Sequence, residues 1–165
     1  MDERFGRYSG AAPAPGGYVW IHAVQMLMSD RLGLRQSRDA ASVLMASVAG
    51  YDGVDGLSEL LVSGQRLLVA GKAGAVGSIV RVRIAARDVS LAVERPSATT
   101  ILNCLDVTIA AIDSAPGADA TITLQLGAET MLARVTRRSV RSLGLSVGQK
   151  AFAQVKGVSL VTGPQ

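Results

Sequence analysis

Three side chains in Ala133–Val161 (ARVTRRSVRSLGLSVGQKAFAQVKGVSLV) carry chemistry: Thr136, Ser139 and Lys156. Ala133–Thr136 ends an extended segment, and a short helix follows. Thr136 suits the N-cap of that helix, because its hydroxyl can accept from free N–H groups of the first turn. Val140, Leu143 and Leu145 give the helix one apolar side, and Gly144 and Gly148 punctuate its end. Lys150–Lys156 then alternates as a half-buried strand does, and Gly157 lets the chain turn before Val158–Val161. Two hydroxyls at a helix start and one cation suit the holding of an oxyanion. The plain alternative is that Thr136 only caps and Lys156 is a solvated strand residue.

Other chemistries find less support. Cys104 is the single cysteine, which excludes an intramolecular disulfide and a cysteine metal cluster. Its neighbours Asn103, Leu105 and Val107 predict a buried small apolar residue. His22 is the single histidine and sits on an apolar segment, far in sequence from any candidate nucleophile. Acidic residues are scattered singly, so no pair is spaced for general acid–base work and no metal cluster is expected. Gly71–Gly77 (GKAGAVG) invites comparison with a phosphate loop. Arg66 stands where the first Gly of that loop must be, and Ala73 stands where a Ser or Thr must bind magnesium. The segment also lies between two strands. No catalytic residue and no cofactor are therefore expected.

The 165-residue chain is 48% hydrophobic but only 4% aromatic, so its core must be Val, Leu, Ile and Ala. Eighteen glycines and many short Val/Leu runs point to strands joined by tight turns. The net charge of +4 reads as scattered arginines, with no basic run interleaved with aromatics. That argues against nucleic acid and suits small anions. No 18-residue apolar run exists to span a membrane. Met1-Asp2-Glu3-Arg4 lacks the start of a signal peptide, so a cytoplasmic location is the default.

Residues 1–19 read as a Gly/Pro/Ala-rich flexible leader, and 20–38 as a helical stretch with a polar linker. From Ser42 the pattern changes to strands: Val43–Ala49, a hairpin of Leu57–Val62 with Leu67–Val69, Ile79–Ala85 and Val89–Val93. Glu94–Thr99 connects to a second set that repeats the first. Leu105–Ile112 corresponds to Leu44–Gly50, and Thr121–Leu126 with Thr130–Val135 repeats the hairpin. Val76–Val93 matches Val147–Val161, setting Val89-Ser90-Leu91 against Val158-Ser159-Leu160 and Arg87 opposite Lys156. The repeat is roughly 50–60 residues with about five strands per unit. The expected architecture is all-β: two OB-like small barrels in tandem (39–96 and 97–165) after a short N-terminal helix.

Residues from about 39 to 163 resemble the C-terminal regulatory region of molybdate ABC-transporter ATP-binding proteins, which carries the TOBE, or Mop, barrel. The segments that carry this are VRVRIAARDVSLAVERPSATTILNCL and ARVTRRSVRSLGLSVGQKAFAQVKGVSLV. The related stand-alone molbindins imply small barrels, oligomers, and molybdate or tungstate held at subunit interfaces. The family's Ser/Thr-x-Arg-Asn motif falls on Thr100-Ile101-Leu102-Asn103, with Leu102 in place of the Arg. Its Thr-x-x-Ser motif is intact at Thr136 and Ser139, and its Lys-Ala/Ser pair stands as Lys156-Gly157. The family's nucleotide-binding domain is missing: Walker A, signature and Walker B runs are not found. Met26–Leu34 is similar to the tail of that domain.

The resemblance thus implies a non-catalytic, cytoplasmic module that binds molybdate or tungstate through Thr100, Asn103, Thr136, Ser139, Lys156 and Gly157. It implies a homo-oligomer, and transporter subunits that could hold the chain at the inner face of the plasma membrane. The alternative reading is a non-binding dimerisation or structural module left from a truncated transporter ATPase, which Leu102 favours.

Overall fold

The computed structural model describes residues 39–114 and 116–161. The leader, the helical stretch with His22, the 20–38 boundary and residues 162–165 lie outside the described residues. All described residues fall within one compact unit.

Among the described residues ten strands and one short α-helix follow in order. The first half gives β1 (Ala41–Asp52), β2 (Leu57–Val62), β3 (Gln65–Ala70), β4 (Ile79–Ala85) and β5 (Val89–Ala92), with a 3-10 turn at Ala86–Asp88 before β5. The second half gives β6 (Asn103–Asp113), β7 (Asp119–Leu126), β8 (Glu129–Thr136), α1 (Arg137–Leu143), β9 (Lys150–Val155) and β10 (Ser159–Leu160). The repeat read from sequence is therefore present strand for strand.

Sheet membership does not follow the halves. One sheet has the order β10-β4-β1-β2-β3 and the other β5-β9-β6-β7-β8, all pairs antiparallel. Each half thus lends its last strand to the other half's sheet. Ser90 stands opposite Gln154, and Ser159 opposite Arg83. The two tandem halves are thus interlocked, each sheet being completed by a strand of the other half. The physical reason lies in the links before these strands. Val155 is followed by Lys156-Gly157 and Ala85 by the 3-10 turn, and both links carry the chain onto the neighbouring sheet.

The register makes the likeness exact enough to align residue by residue. In β1 the ladder with β2 skips Ala49, and in β6 the ladder with β7 skips Ala110, each a β-bulge that bends a long strand. Both bulges are sealed alike. Gly77 donates to the Val48 carbonyl and Val48 to that of Ser78; Gly148 donates to Ile109 and Ile109 to Gln149. Aligned on the bulges, Ser42 corresponds to Asn103, Met45 to Asp106, Leu61 to Gln125, Leu68 to Leu132, and Ile79 to Lys150.

The inward faces of both sheets share one core of aliphatic residues, including Leu44, Leu60, Leu67, Ile84, Leu105, Ile109, Leu124 and Met131, all with no measurable exposure. Period-two alternation in β4 behaves as the sequence requires: Val82 and Ile84 are buried and Arg81 and Arg83 exposed. Two details differ from the sequence reading. Cys104 is only half-buried, because it faces outward beside buried Asn103 and Leu105. In α1 no residue is buried; Val140 packs against the core and Leu145 is buried after the helix, but Leu143 is 40% exposed.

The open edges of β3 and β8 are closed by side chains from the other half. Asn103 accepts from the Leu68 N–H (2.7 Å) and donates to the Leu68 carbonyl (2.9 Å), acting as a one-residue strand against β3. Ser42, its counterpart, accepts from the Leu132 N–H (2.8 Å) on β8. Gln65 of β3 returns the favour, donating to the Asp106 carbonyl and accepting from its N–H. The two hairpin turns also meet: a Cβ on Gly127, whose φ is +58°, would stand 2.7 Å from the Ser63 Cβ.

Asn103→Ala should leave both Leu68 groups without their partner and lower stability by about 1–3 kcal/mol. Ser42→Ala removes one partner and should cost about 1 kcal/mol. Urea unfolding midpoints decide; if Asn103→Ala is no worse than Ser42→Ala, the two-pronged contact is not what closes β3.

Candidate functional site

Thr136 ends β8 in extended backbone (φ −76°, ψ 147°) and caps α1 as its residue type dictates. Its Oγ1 accepts from the Ser139 N–H at 3.0 Å. The two hydroxyls lie 2.8 Å apart, so either one can donate to the other. Thr136 is exposed and Ser139 half-buried. Gly144 closes the helix at φ 60°, with its N–H on the Arg141 and Val140 carbonyls. The first turn has few donors to spare. The Ser139 N–H is taken by Thr136, and the Arg137 N–H donates to the Ala118 carbonyl at 2.8 Å. What the segment offers a ligand is therefore the hydroxyl pair.

The other sequence-derived residues gather at the opposite end of the β6 ladder. Asn103 pairs with Val155, which places Leu102 and Thr100 beside the end of β9, where Lys156 and Gly157 follow. Thr136 pairs with Asp119 at the other end, where β7 begins and β6 finishes. Among the described residues no hydrogen bond joins the Thr136–Ser139 pair to Thr100, Asn103 or Lys156. The six residues form two groups within the chain: Thr136 with Ser139, and Thr100, Asn103, Lys156 and Gly157.

Within the second group the roles separate. Thr100 is exposed in the connector before β6. Lys156 is exposed, with its N–H donating to the Asp88 carbonyl at 2.9 Å. Asn103 is 8% exposed, and both ends of its amide are engaged by Leu68. Its geometry is that of an edge clasp. Gly157 has a direct steric reason: a Cβ there would lie 2.8 Å from the Asp88 Oδ2 and 3.2 Å from its Cγ. The Asp88 carboxylate occupies the space a Lys-Ala or Lys-Ser pair would fill. An anion beside Lys156 would thus share the neighbourhood with a fixed negative charge. Leu102, where the related motif has arginine, is 63% exposed and supplies no cation.

Arginines are less scattered than the composition suggested. Arg134, Arg137, Arg138 and Arg141 fall within eight residues around the end of β8 and α1, next to the hydroxyl pair. Arg137 also donates to the Gly117 carbonyl at 3.3 Å. The run RVTRRSVR was the signal, visible in the sequence. Another arginine, Arg95, holds Asp106 through both carboxylate oxygens (2.8 and 2.7 Å) and stacks over the Phe152 ring at 4.8 Å. Among the described residues no group of three or more His, Cys, Asp or Glu could hold a metal ion, and no helix is long and apolar enough to cross a membrane.

Known proteins resemble this chain in sequence and fold. Residues 99–161 match the TOBE domain. The matched span takes in β6 to β10 with α1, and so contains the hydroxyl pair, Lys156 and Gly157. Across most of its length the chain is similar to the molybdenum import ATP-binding protein ModC of several bacteria. Identity is 36% with that of Albidiferax ferrireducens (88% of this chain, 40% of the relative). It is 43% with that of Rhodopseudomonas palustris (90% and 41%). The chain thus spans about two fifths of the length of these curated relatives. Among solved structures, a molybdate-bound form of the cytoplasmic molybdate-binding protein ModG aligns with a TM-score of 0.62. Its identity is 25%, over 72% of this chain and 93% of ModG. The resemblance to molybdate-transporter ATP-binding proteins and the all-β, tandem OB-like architecture both hold.

Thr136→Ala should cost about 1 kcal/mol through loss of the cap, whereas Thr136→Ser should restore it. Chemical denaturation of both variants checks this; equal loss in both would show that the methyl group, not the hydroxyl, matters.

Proposed function

We propose that this chain is a non-catalytic, metalate-responsive regulatory module of the kind attached to a molybdate transporter's ATP-binding subunit. The observation that carries the reading is the likeness to molybdate-bound ModG over 93% of that chain, joined to an intact Thr136–Ser139 hydroxyl pair inside the TOBE span. A tetrahedral dianion needs several O–H and N–H donors and a compensating cation. Thr136 and Ser139 supply hydroxyls, and Thr100 and Lys156 supply a hydroxyl and a cation at the other end of β6. Gly157 adds its main chain beside Lys156, and Asn103 anchors the start of β6, three residues after Thr100 in the connector. Because the two groups are separate within one chain, a complete set of donors would form where two chains meet, so a homo-oligomer belongs to this reading. So do a cytoplasmic location and contact with a transporter's nucleotide-binding and membrane subunits. The ligand is molybdate or tungstate, with no resident cofactor.

A second reading has specific support: a structural or dimerisation module that does not bind. Leu102 removes a cation, Asn103 is engaged internally, and Asp88 sets a carboxylate over Gly157. Titration calorimetry of the full chain with molybdate, tungstate and sulfate separates the two. Under the first reading both metalates release heat and sulfate binds more weakly. Leu102→Arg and Asp88→Asn should then each tighten binding by up to about fivefold, the scale of one solvent-exposed ion pair. No heat at millimolar metalate in the parent chain and in both variants would select the second reading.

A further inference from the structure

The bulge alignment allows one comparison that a single barrel could not: the outward faces of the two sheets at equivalent positions. On the second half the positions are Cys104, Asp106, Gln125, Lys150 and Phe152, and Arg95 from the β5–β6 connector closes over Asp106 and Phe152. On the first half the same positions are Val43, Met45, Leu61, Ile79 and Arg81. The cross-strand register puts Leu61, Ser47 and Ile79 in one row across β2, β1 and β4, with Met45–Arg81 and Val43–Arg83 in the next rows. Val43, Met45 and Leu61 are 37–38% exposed and Ile79 62%. Around them stand four exposed cations, Arg66 opposite Leu61, Arg81 and Arg83 on β4, and Lys72 in the loop after β3, against one half-buried carboxylate, Glu59, on the same side of β2. None of the four has an ion-pair partner among the described residues. At one corner Met45, Lys72, Ile79, Arg81, Leu160 and Val161 line a recess of about 430 Å³.

We propose that the outward face of the first-half sheet docks an acidic peptide segment with alternating apolar side chains. An aliphatic centre bordered by four cations and a single carboxylate, none of the four ion-paired among the described residues, is complementary to carboxylates set around an apolar row. An extended peptide presents side chains at the two-residue spacing of this face, and the recess accepts one of its apolar groups. A second copy is disfavoured by charge, because two such faces would oppose cation with cation. A bilayer is disfavoured because the apolar centre offers little to insert: Val43, Met45 and Leu61 keep most of their surface covered.

The experiment is a fluorescence-anisotropy titration of the full chain with a labelled peptide of alternating Glu and Leu. The Lys/Leu counterpart is the control. The parent chain should bind the acidic peptide alone. Arg81→Glu should weaken it by at least about tenfold. Met45→Asp, which copies the residue at the equivalent position of the other half, should do the same. Lys150→Glu, at the position equivalent to Ile79, should leave binding unchanged. Thermal midpoints of all variants confirm folding, and Arg81→Glu, an exposed exchange, keeps the test valid if Met45→Asp unfolds. The proposal fails if the acidic peptide does not bind, or if it binds equally well to Met45→Asp and Arg81→Glu. It fails equally if Met45→Asp abolishes self-association seen by sedimentation, or abolishes binding to anionic phospholipid vesicles; the occupant would then be a second copy or a membrane.

Discussion

A sheet edge is a row of unpaired N–H and C=O groups, and a protein made from two small sheets has several to manage. Here the solution is mutual. Asn103 occupies the exposed bonding groups of Leu68 on β3, and Ser42 occupies that of Leu132 on β8. Each clasp comes from the first turn-in of the other half's long strand. The remaining edges are short: β5 has four residues and β10 two, and both are lent across the halves. Two strand exchanges and the side-chain clasps of Asn103, Ser42 and Gln65 therefore bind the halves so that neither completes its sheet alone. The continuous aliphatic core between them follows from that arrangement, since the inward faces have no other surface to meet.

This closure fixes what the candidate site can be. Strand β6 is held at its start against β3, and β8 is held at its middle against β1, so the two sets of polar residues project at different places. A residue recruited to close an edge is spent. Asn103 serves Leu68, and its amide is not available on the same terms as the hydroxyls of Thr136 and Ser139. The Asp88–Gly157 contact is of the same kind: the carboxylate stands where it does because the link between β4 and β5 must reach the other sheet beside the link after β9. Oxyanion chemistry in this chain is thus constrained by how the halves interlock.

The duplication has also let the two halves diverge on their outer surfaces while their inner ones stay alike. Leu44 and Leu105, Leu60 and Leu124, and Leu67 and Met131 are all buried at equivalent positions. Outside, Met45 against Asp106 and Ile79 against Lys150 show no such agreement. The core tolerates only aliphatic groups of matching volume, whereas the outer face answers to whatever each half meets. The GKAGAVG segment follows the same logic. It replaces α1 in the first half and is pinned by Ser58, whose hydroxyl donates to the Gly71 carbonyl and accepts from the Ala73 N–H, which is a structural duty and not a phosphate loop's.

Local patterns set the strands, hairpins, α1 with its Thr136 cap, and the repeat, because each depends on alternation, turn residues and capping within a few residues. The resemblance that named the TOBE region rested on the same local runs, such as VGQKAFAQVKGVSL. What tertiary structure alone decided was which half each last strand joins, and with it the fate of Asn103, Gly157 and Cys104. Those outcomes hinge on partners some 35 residues away, such as Leu68 for Asn103, or brought close only by strand exchange, such as Asp88 for Gly157. No spacing along a single chain encodes such a meeting; it is set when the two sheets bury their apolar faces against each other and must find something to satisfy their edges.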